Sequence, residues 1–195
     1  MGALFGGASA DPVPRILAAR SMLDRRVAHR AVQRDAGVGP ALVQRRLAAW
    51  LKPSGYFNIK AQRLRAFCAW LIRKGGAKRI ARLPTSVLRA ELLQVHGIGP
   101  ETADDMLLYA FNRPVFVIDA YTRRLFQRLG LIQGDESYET LRNLFEQSLA
   151  ADTQLFNEYH ALIVAHAKDV CRKRPLCGTC KLGPLCPSRE FGKDT

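Results

Sequence analysis

Four cysteines fall within 16 residues, Cys171, Cys177, Cys180 and Cys186, spaced C-x5-C-x2-C-x5-C. In an intracellular basic protein thiols stay reduced, so clustering of this kind points to metal rather than to disulfides. Cys177 and Cys180 can clamp one ion or one corner of a cluster, and the outer pair can close the other two positions. Zinc with four thiolates and a [4Fe-4S] cluster both suit the set; the spacing leans only slightly to iron, because paired C-x2-C knuckles are commoner for zinc. The loop is itself basic, with Arg172, Lys173, Arg174, Lys181 and Arg189 and no acid between Val170 and Arg189. Those charges offset thiolates and are also able to meet phosphate. The fifth cysteine, Cys68, reads as a buried small hydrophobe.

A second group lies in Leu92-Leu93-Gln94-Val95-His96-Gly97-Ile98-Gly99-Pro100-Glu101-Thr102-Ala103. Glycines two apart let the backbone turn with positive φ and bring amide N–H groups to the start of the next helix, where phosphate is held without base readout. About 20 residues on comes an acid in an apolar setting, Asp119 in Val117-Ile118-Asp119-Ala120-Tyr121. An Asp there is an ordinary helix N-cap. It is also a carboxylate placed to stabilise a sugar cation and orient water, and the two roles are compatible.

The whole chain has 195 residues with 30 Lys and Arg against 17 Asp and Glu, a net charge of +13. From Met1 to Arg82 there are 17 basic and 3 acidic residues; from Leu83 to Thr195 the count is 13 to 14. The first part therefore carries the excess, which fits a polyanionic partner. At 48% hydrophobic the chain has material for a core, which excludes a disordered basic tail. No apolar run is long enough to span a membrane and the opening residues lack a secretory pattern.

Helical periodicity runs nearly throughout. The segment 1–15 reads as irregular. Helices are expected over Ile16–Arg34, Ala41–Leu51 and Ala61–Lys74, then after a Thr85 or Ser86 cap, over Glu101–Phe111, after Asp119, over Tyr138–Ala150 and over Phe156–Val170. The β-prone run Arg113–Ile118, alone between helices, reads as a buried connection.

With these elements in order, the sequence resembles the endonuclease III family of helix-hairpin-helix DNA glycosylases over about 70% of its length, Leu51 to Pro187. Pro53-Ser54-Gly55-Tyr56-Phe57-Asn58-Ile59-Lys60-Ala61 looks like the family's "G-x-x-N-x-K-A" segment. Gly97-Ile98-Gly99 matches the hairpin, Ile118-Asp119 the catalytic aspartate, and Tyr159–Ile163 the helix before the cluster loop. The resemblance implies an all-α fold: a helical barrel domain over 16–130 with the helix-hairpin-helix at about 86–111, and an iron-sulfur cluster domain over 131–195. It implies a [4Fe-4S] cluster on the four cysteines and Asp119 as the catalytic residue. DNA-binding roles fall to Gly97, Ile98, Gly99, Lys60, Arg123 and Arg20, and base-pocket roles to Tyr56, Phe57 and Glu101.

Bifunctional members carry "G-x-G-R-K-T-A", whose Lys forms a Schiff base with the sugar; Glu101 stands there, and an acid cannot. The Gly-Ile-Gly-Pro-Glu-Thr-Ala-Asp variant looks most like the 3-methyladenine glycosylase branch. The first cysteine gap is five residues where endonuclease III has six. Ala19 takes the place of the Gln that fills the hole left by a flipped base, with Arg20 as a substitute wedge. The implied function is a monofunctional base-excision repair glycosylase acting on alkylated bases in double-stranded damaged DNA. Such a protein would be a monomer, cytoplasmic and nucleoid-associated, without a membrane partner. The rivals are a non-catalytic DNA-binding paralogue and a bifunctional glycosylase/AP lyase.

Overall fold

The computed structural model describes residues 40–192, so the helix expected over 16–34, with Ala19 and Arg20, lies outside the described residues. The described chain is helical and contains no strand. It divides into two compact units between Arg113 and Pro114. The helix that follows Asp119 therefore lies in the compact unit that holds the cysteine segment. Local bonds agree with this division. Arg113 donates to the Ala81 and Leu83 carbonyls in the first unit, whereas Arg124 and Arg128 bind the backbone at the start of the cysteine segment.

In the first unit α1 (Pro40–Leu51) opens on a proline, whose fixed φ suits the first helical position. A 3-10 turn over Lys52–Ser54 ends it. Tyr56 adopts φ 47°, and α2 (Phe57–Arg73) starts directly after it, four residues ahead of the expected Ala61. Along α2 the residues Ala61, Phe67, Trp70 and Leu71 are buried, and α1 packs on α2. Cys68, expected to be buried, is only half-buried, and that burial still pushes its thiol pKa up. Gly75 and Gly76, at φ 83° and 87°, end α2. A short α3 (Ala77–Ile80) follows, and then α4 (Thr85–Leu93). The cap of α4 is Pro84, with no side-chain bond, so neither Thr85 nor Ser86 caps it: the proline's extended ψ of 147° already makes Thr85 the first helical residue.

The hairpin joins α4 to α5 (Pro100–Asp105), which runs on as a π turn over Met106–Ala110. The two helices are locked by a bidentate ion pair: Arg89 Nε and Nη2 donate to the two Asp104 oxygens at 2.6 and 3.0 Å. Asp104 is fully buried and Leu88, Leu92, Ala103 and Leu107 pack at 0% exposure.

In the second unit the irregular connection that follows the exposed Pro114 is buried over Val115–Ile118, as its sequence suggests. Lacking strand partners, its amides find side chains instead: Phe116 N donates to Glu146 Oε1 and Ile118 N to the Tyr138 hydroxyl. Three helices follow, α6 (Ala120–Arg128), α7 (Tyr138–Ser148) and α8 (Thr153–Asp169). Each is capped by a side chain, Asp119, Ser137 and Asp152, which accept from Thr122, Thr140 and Leu155 amides respectively. Phe116 centres the core, stacked on Phe145 at 4.3 Å and edge-on to Phe156 at 5.4 Å.

Asp104→Ala leaves the Arg89 guanidinium, 15% exposed, without its carboxylate. The expected loss is about 3 kcal/mol of unfolding free energy, read from the urea midpoint at neutral pH.

Candidate active site and thiol cavity

Asp119 is the half-in residue before α6, in extended conformation at φ −105° and ψ 178°. The buried run Val115–Ile118 delivers it to the interior, where it is 7% exposed. Its Oδ1 accepts from both Thr122 N at 2.7 Å and Thr122 Oγ1 at 2.9 Å. Its Oδ2 lies 3.6 Å from His160 Nε2 on α8, and both side chains are 8% exposed. Burial works against the charge on this carboxylate. The His160 imidazole, the Thr122 amide and the Thr122 hydroxyl outweigh that cost and hold its pKa below the usual carboxylate value. The arrangement thus keeps an ionised carboxylate in a largely apolar setting, with one oxygen committed to the helix cap.

The four clustered cysteines are all free and line one cavity of about 340 Å³, with Leu125, Leu129, His166 and Val170. Among the described residues no three His, Cys, Asp or Glu side chains are grouped as ligands of a single metal ion. Two arginines one turn apart on α6 hold the cavity wall. Arg124 donates to Ala167 O and Cys171 O at 2.8 and 3.0 Å, satisfying carbonyls at the end of α8. Arg128 donates to Arg172 O and Lys173 O at 2.6 and 3.0 Å and to Cys171 Sγ at 3.3 Å, while Cys186 Sγ donates to Arg128 O. His166 Nε2 stands 3.5 Å from Cys180 Sγ. Sequence reasoning missed both arginines; their i, i+4 spacing on one helix face was the available signal.

In the first unit Gly97 has φ 85°, and a Cβ there would overlap the stem of Arg63, so the turn admits no side chain. Gly99 differs: its φ of −93° suits any residue, and a Cβ would meet nothing within 4 Å. Its lack of a side chain serves no packing need among the described residues and leaves the hairpin backbone bare. Ten of the eleven Lys and Arg between 45 and 82 are exposed, Lys60 among them; Lys74 is paired with Glu91 at 2.6 Å. Tyr56 is 84% exposed, Phe57 is half-buried and Glu101 is exposed. A cavity beside the hairpin, about 270 Å³, is lined instead by residues that include Trp70, Arg73, Gln94 and His96, and by none of those three. In the second unit Arg123 turns to donate to Glu136 O at 2.8 Å.

Residues 41–151 match the family model of the HhH-GPD superfamily base excision DNA repair protein, and the chain belongs to that superfamily. A protein of Methanocaldococcus jannaschii with a provisional DNA repair glycosylase name is 42% identical over 147 residues, 74% of this chain and 67% of its own length. The endonucleases III among the curated relatives are matched over smaller shares, and the chain spans 44% to 64% of them. Among solved structures, a non-covalent endonuclease III–DNA complex shares the fold, with TM-score 0.69, 22% identity, and coverage of 92% of this chain and 76% of that one. The H. pylori 3-methyladenine DNA glycosylase bound to 1,N6-ethenoadenine has TM-score 0.59 and 25% identity, covering 80% of this chain and 74% of that one. The all-α helix-hairpin-helix architecture expected from the sequence is thereby established.

Because Asp119 has a lowered folded pKa, it stabilises the fold above its unfolded value of about 3.9, and that contribution is lost as pH falls through the folded value. Asp119→Asn keeps the oxygen that caps α6 but cannot ionise. The stability gap between wild type and this variant should be widest near neutrality and close below about pH 4, as measured by urea midpoints across pH.

Proposed function

We propose that this protein is a monofunctional DNA N-glycosylase that hydrolyses the bond between an alkylated base and its sugar in duplex DNA. The observation that carries the reading is the buried, ionised Asp119 at the start of α6. A base lost from its sugar leaves positive charge on the ring, and a preorganised carboxylate in a low-dielectric site stabilises that charge without rearrangement. Water then completes the hydrolysis. An alkylated purine carries positive charge itself, which makes it a good leaving group and favours stacking on an aromatic ring. Tyr56, exposed and held at positive φ, suits such stacking on a base taken out of the duplex. The H. pylori relative, whose structure holds a modified adenine, supports the same substrate class.

DNA is held through its phosphates. The hairpin backbone at Gly97–Gly99, bare at Gly99, exposed Lys60 and the acid-free surface from 45 to 82 supply that contact. Arg123, already engaged with Glu136 O, is not needed for it. Glu101 stands where bifunctional members carry the Lys that forms the Schiff base, and a carboxylate cannot form that bond, which favours hydrolysis without strand cleavage.

Cys171, Cys177, Cys180 and Cys186 would hold a [4Fe-4S] cluster. Four thiols that line one cavity supply the four cysteine ligands that such a cluster takes. The cluster would supply structural support, tying the basic loop to α6. The protein would act as a monomer in the cytoplasm, at the nucleoid; no helix among the described residues is long and apolar enough to cross a membrane.

Wild-type protein should release free base from duplex DNA carrying 3-methyladenine, leaving the strand intact and giving no borohydride-trapped adduct. Asp119→Asn should slow release about 10²- to 10³-fold with DNA affinity kept. Tight, salt-dependent binding with no base release from any lesion would instead identify a non-catalytic paralogue, and a trapped adduct a lyase.

Purified protein should be brown and contain iron with inorganic sulfide. Cys177→Ala should lose both, while a colourless protein holding zinc alone would contradict the cluster.

A further inference from the structure

Resting on the glycosylase reading, we propose that His160 is a positioning residue for Asp119: from α8 it faces Oδ2, the carboxylate oxygen that the helix cap leaves over, and holds that oxygen charged for its work on the sugar. The buried stripe of α8 consists of Phe156, His160, Ile163 and Ala167. Three of its members are apolar. The exception, 6% exposed, stands opposite the buried carboxylate at 3.6 Å. A core stripe is complete with a hydrophobe at that position, and burying an imidazole there costs free energy unless a polar partner answers it.

The cap accounts for Oδ1 alone, since both Thr122 bonds end on it. Oδ2 is otherwise left to a buried setting, Asp119 being 7% exposed, where desolvation favours the neutral form of a carboxylate. The other ionisable groups that the surrounding elements present have contacts of their own or stay neutral, and the Tyr121 ring on α6 packs under Arg124 and Lys168. On α6, Arg123 donates to Glu136 O, and Arg124 to Ala167 O and Cys171 O. On α7, the Tyr138 hydroxyl accepts from Ile118 N, and Glu146 accepts from Phe116 N and pairs with Arg142. On α8, burial pushes the Tyr159 phenol up, so that it stays neutral. His160 is thus the ionisable side chain that stands against Oδ2, at 3.6 Å.

The test compares wild type with His160→Phe, which keeps a buried ring, and His160→Gln, which keeps a neutral donor. Two readouts are taken: the titration midpoint of the Asp119 carboxyl by ¹³C NMR on the free protein, and the pH profile of single-turnover base release from 3-methyladenine duplex. In His160→Phe the Asp119 midpoint should rise by roughly one pH unit. The acidic limb of base release should move up with it, while the KM for DNA stays unchanged. His160→Gln should fall between that variant and wild type, and it carries the comparison if His160→Phe does not fold. An active enzyme whose midpoint and acidic limb are the same in all three proteins would overturn the inference. A midpoint that moves in a wild-type background releasing no base would overturn the glycosylase reading on which it rests.

Discussion

One carboxylate, Asp119, is kept ionised away from water, and the second unit is arranged around it. Desolvation alone would raise the Asp119 pKa. Two bonds from Thr122 to one oxygen and the His160 imidazole beside the other reverse that balance. The same residue starts α6, so the helix and the charge depend on each other: without the cap the first turn of α6 frays, and without the turn the carboxylate has no fixed direction. Everything else in the second unit serves this placement. The buried run 115–118 brings the chain to the point, with Glu146 and Tyr138 satisfying its amides, and α8 supplies the wall that bears His160.

The two units divide the remaining work by charge. Lys and Arg between 45 and 82 face solvent with no acid among them, so electrostatic attraction for a polyanion resides in the first unit. Its hairpin is held in shape by the buried Arg89–Asp104 pair rather than by the exposed charges. The second unit is nearly balanced in charge and holds the buried Asp119 carboxylate, together with the thiol cavity that Arg124 and Arg128 fasten to α6. On the proposed reading binding strength and bond cleavage are separable, the first resting on groups such as Lys60 and the second on Asp119.

Much of this was legible in the sequence because it depends on local pattern. Helical periodicity, breakers such as Pro53 and the Gly75-Gly76 pair, and the Asp before Ala120 each carry their meaning within a few residues. The errors were also local in origin. Tyr56 takes a left-handed conformation that only glycine, asparagine or aspartate ordinarily signals, so the true start of α2 was hidden. Pro84 rather than the more obvious Thr85 sits at the cap of α4. What sequence could not give were contacts between residues far apart in the chain: Arg128 with the backbone at 172 and 173, Asp119 with His160, and Arg89 with Asp104. The tie between α6 and a segment more than forty residues downstream, made by its arginines, is hidden from local pattern for the same reason.

A transition-state mimic tests the central claim most directly. Duplex DNA carrying a cationic azasugar at one position resembles the sugar cation that forms as the base departs, and a neutral abasic analogue provides the uncharged control. The ratio of the two affinities should be large for wild type and fall by at least roughly tenfold in Asp119→Asn, with binding of the neutral duplex unchanged. An equal preference for the cationic duplex in both proteins would show that the Asp119 carboxylate does not face the reacting sugar.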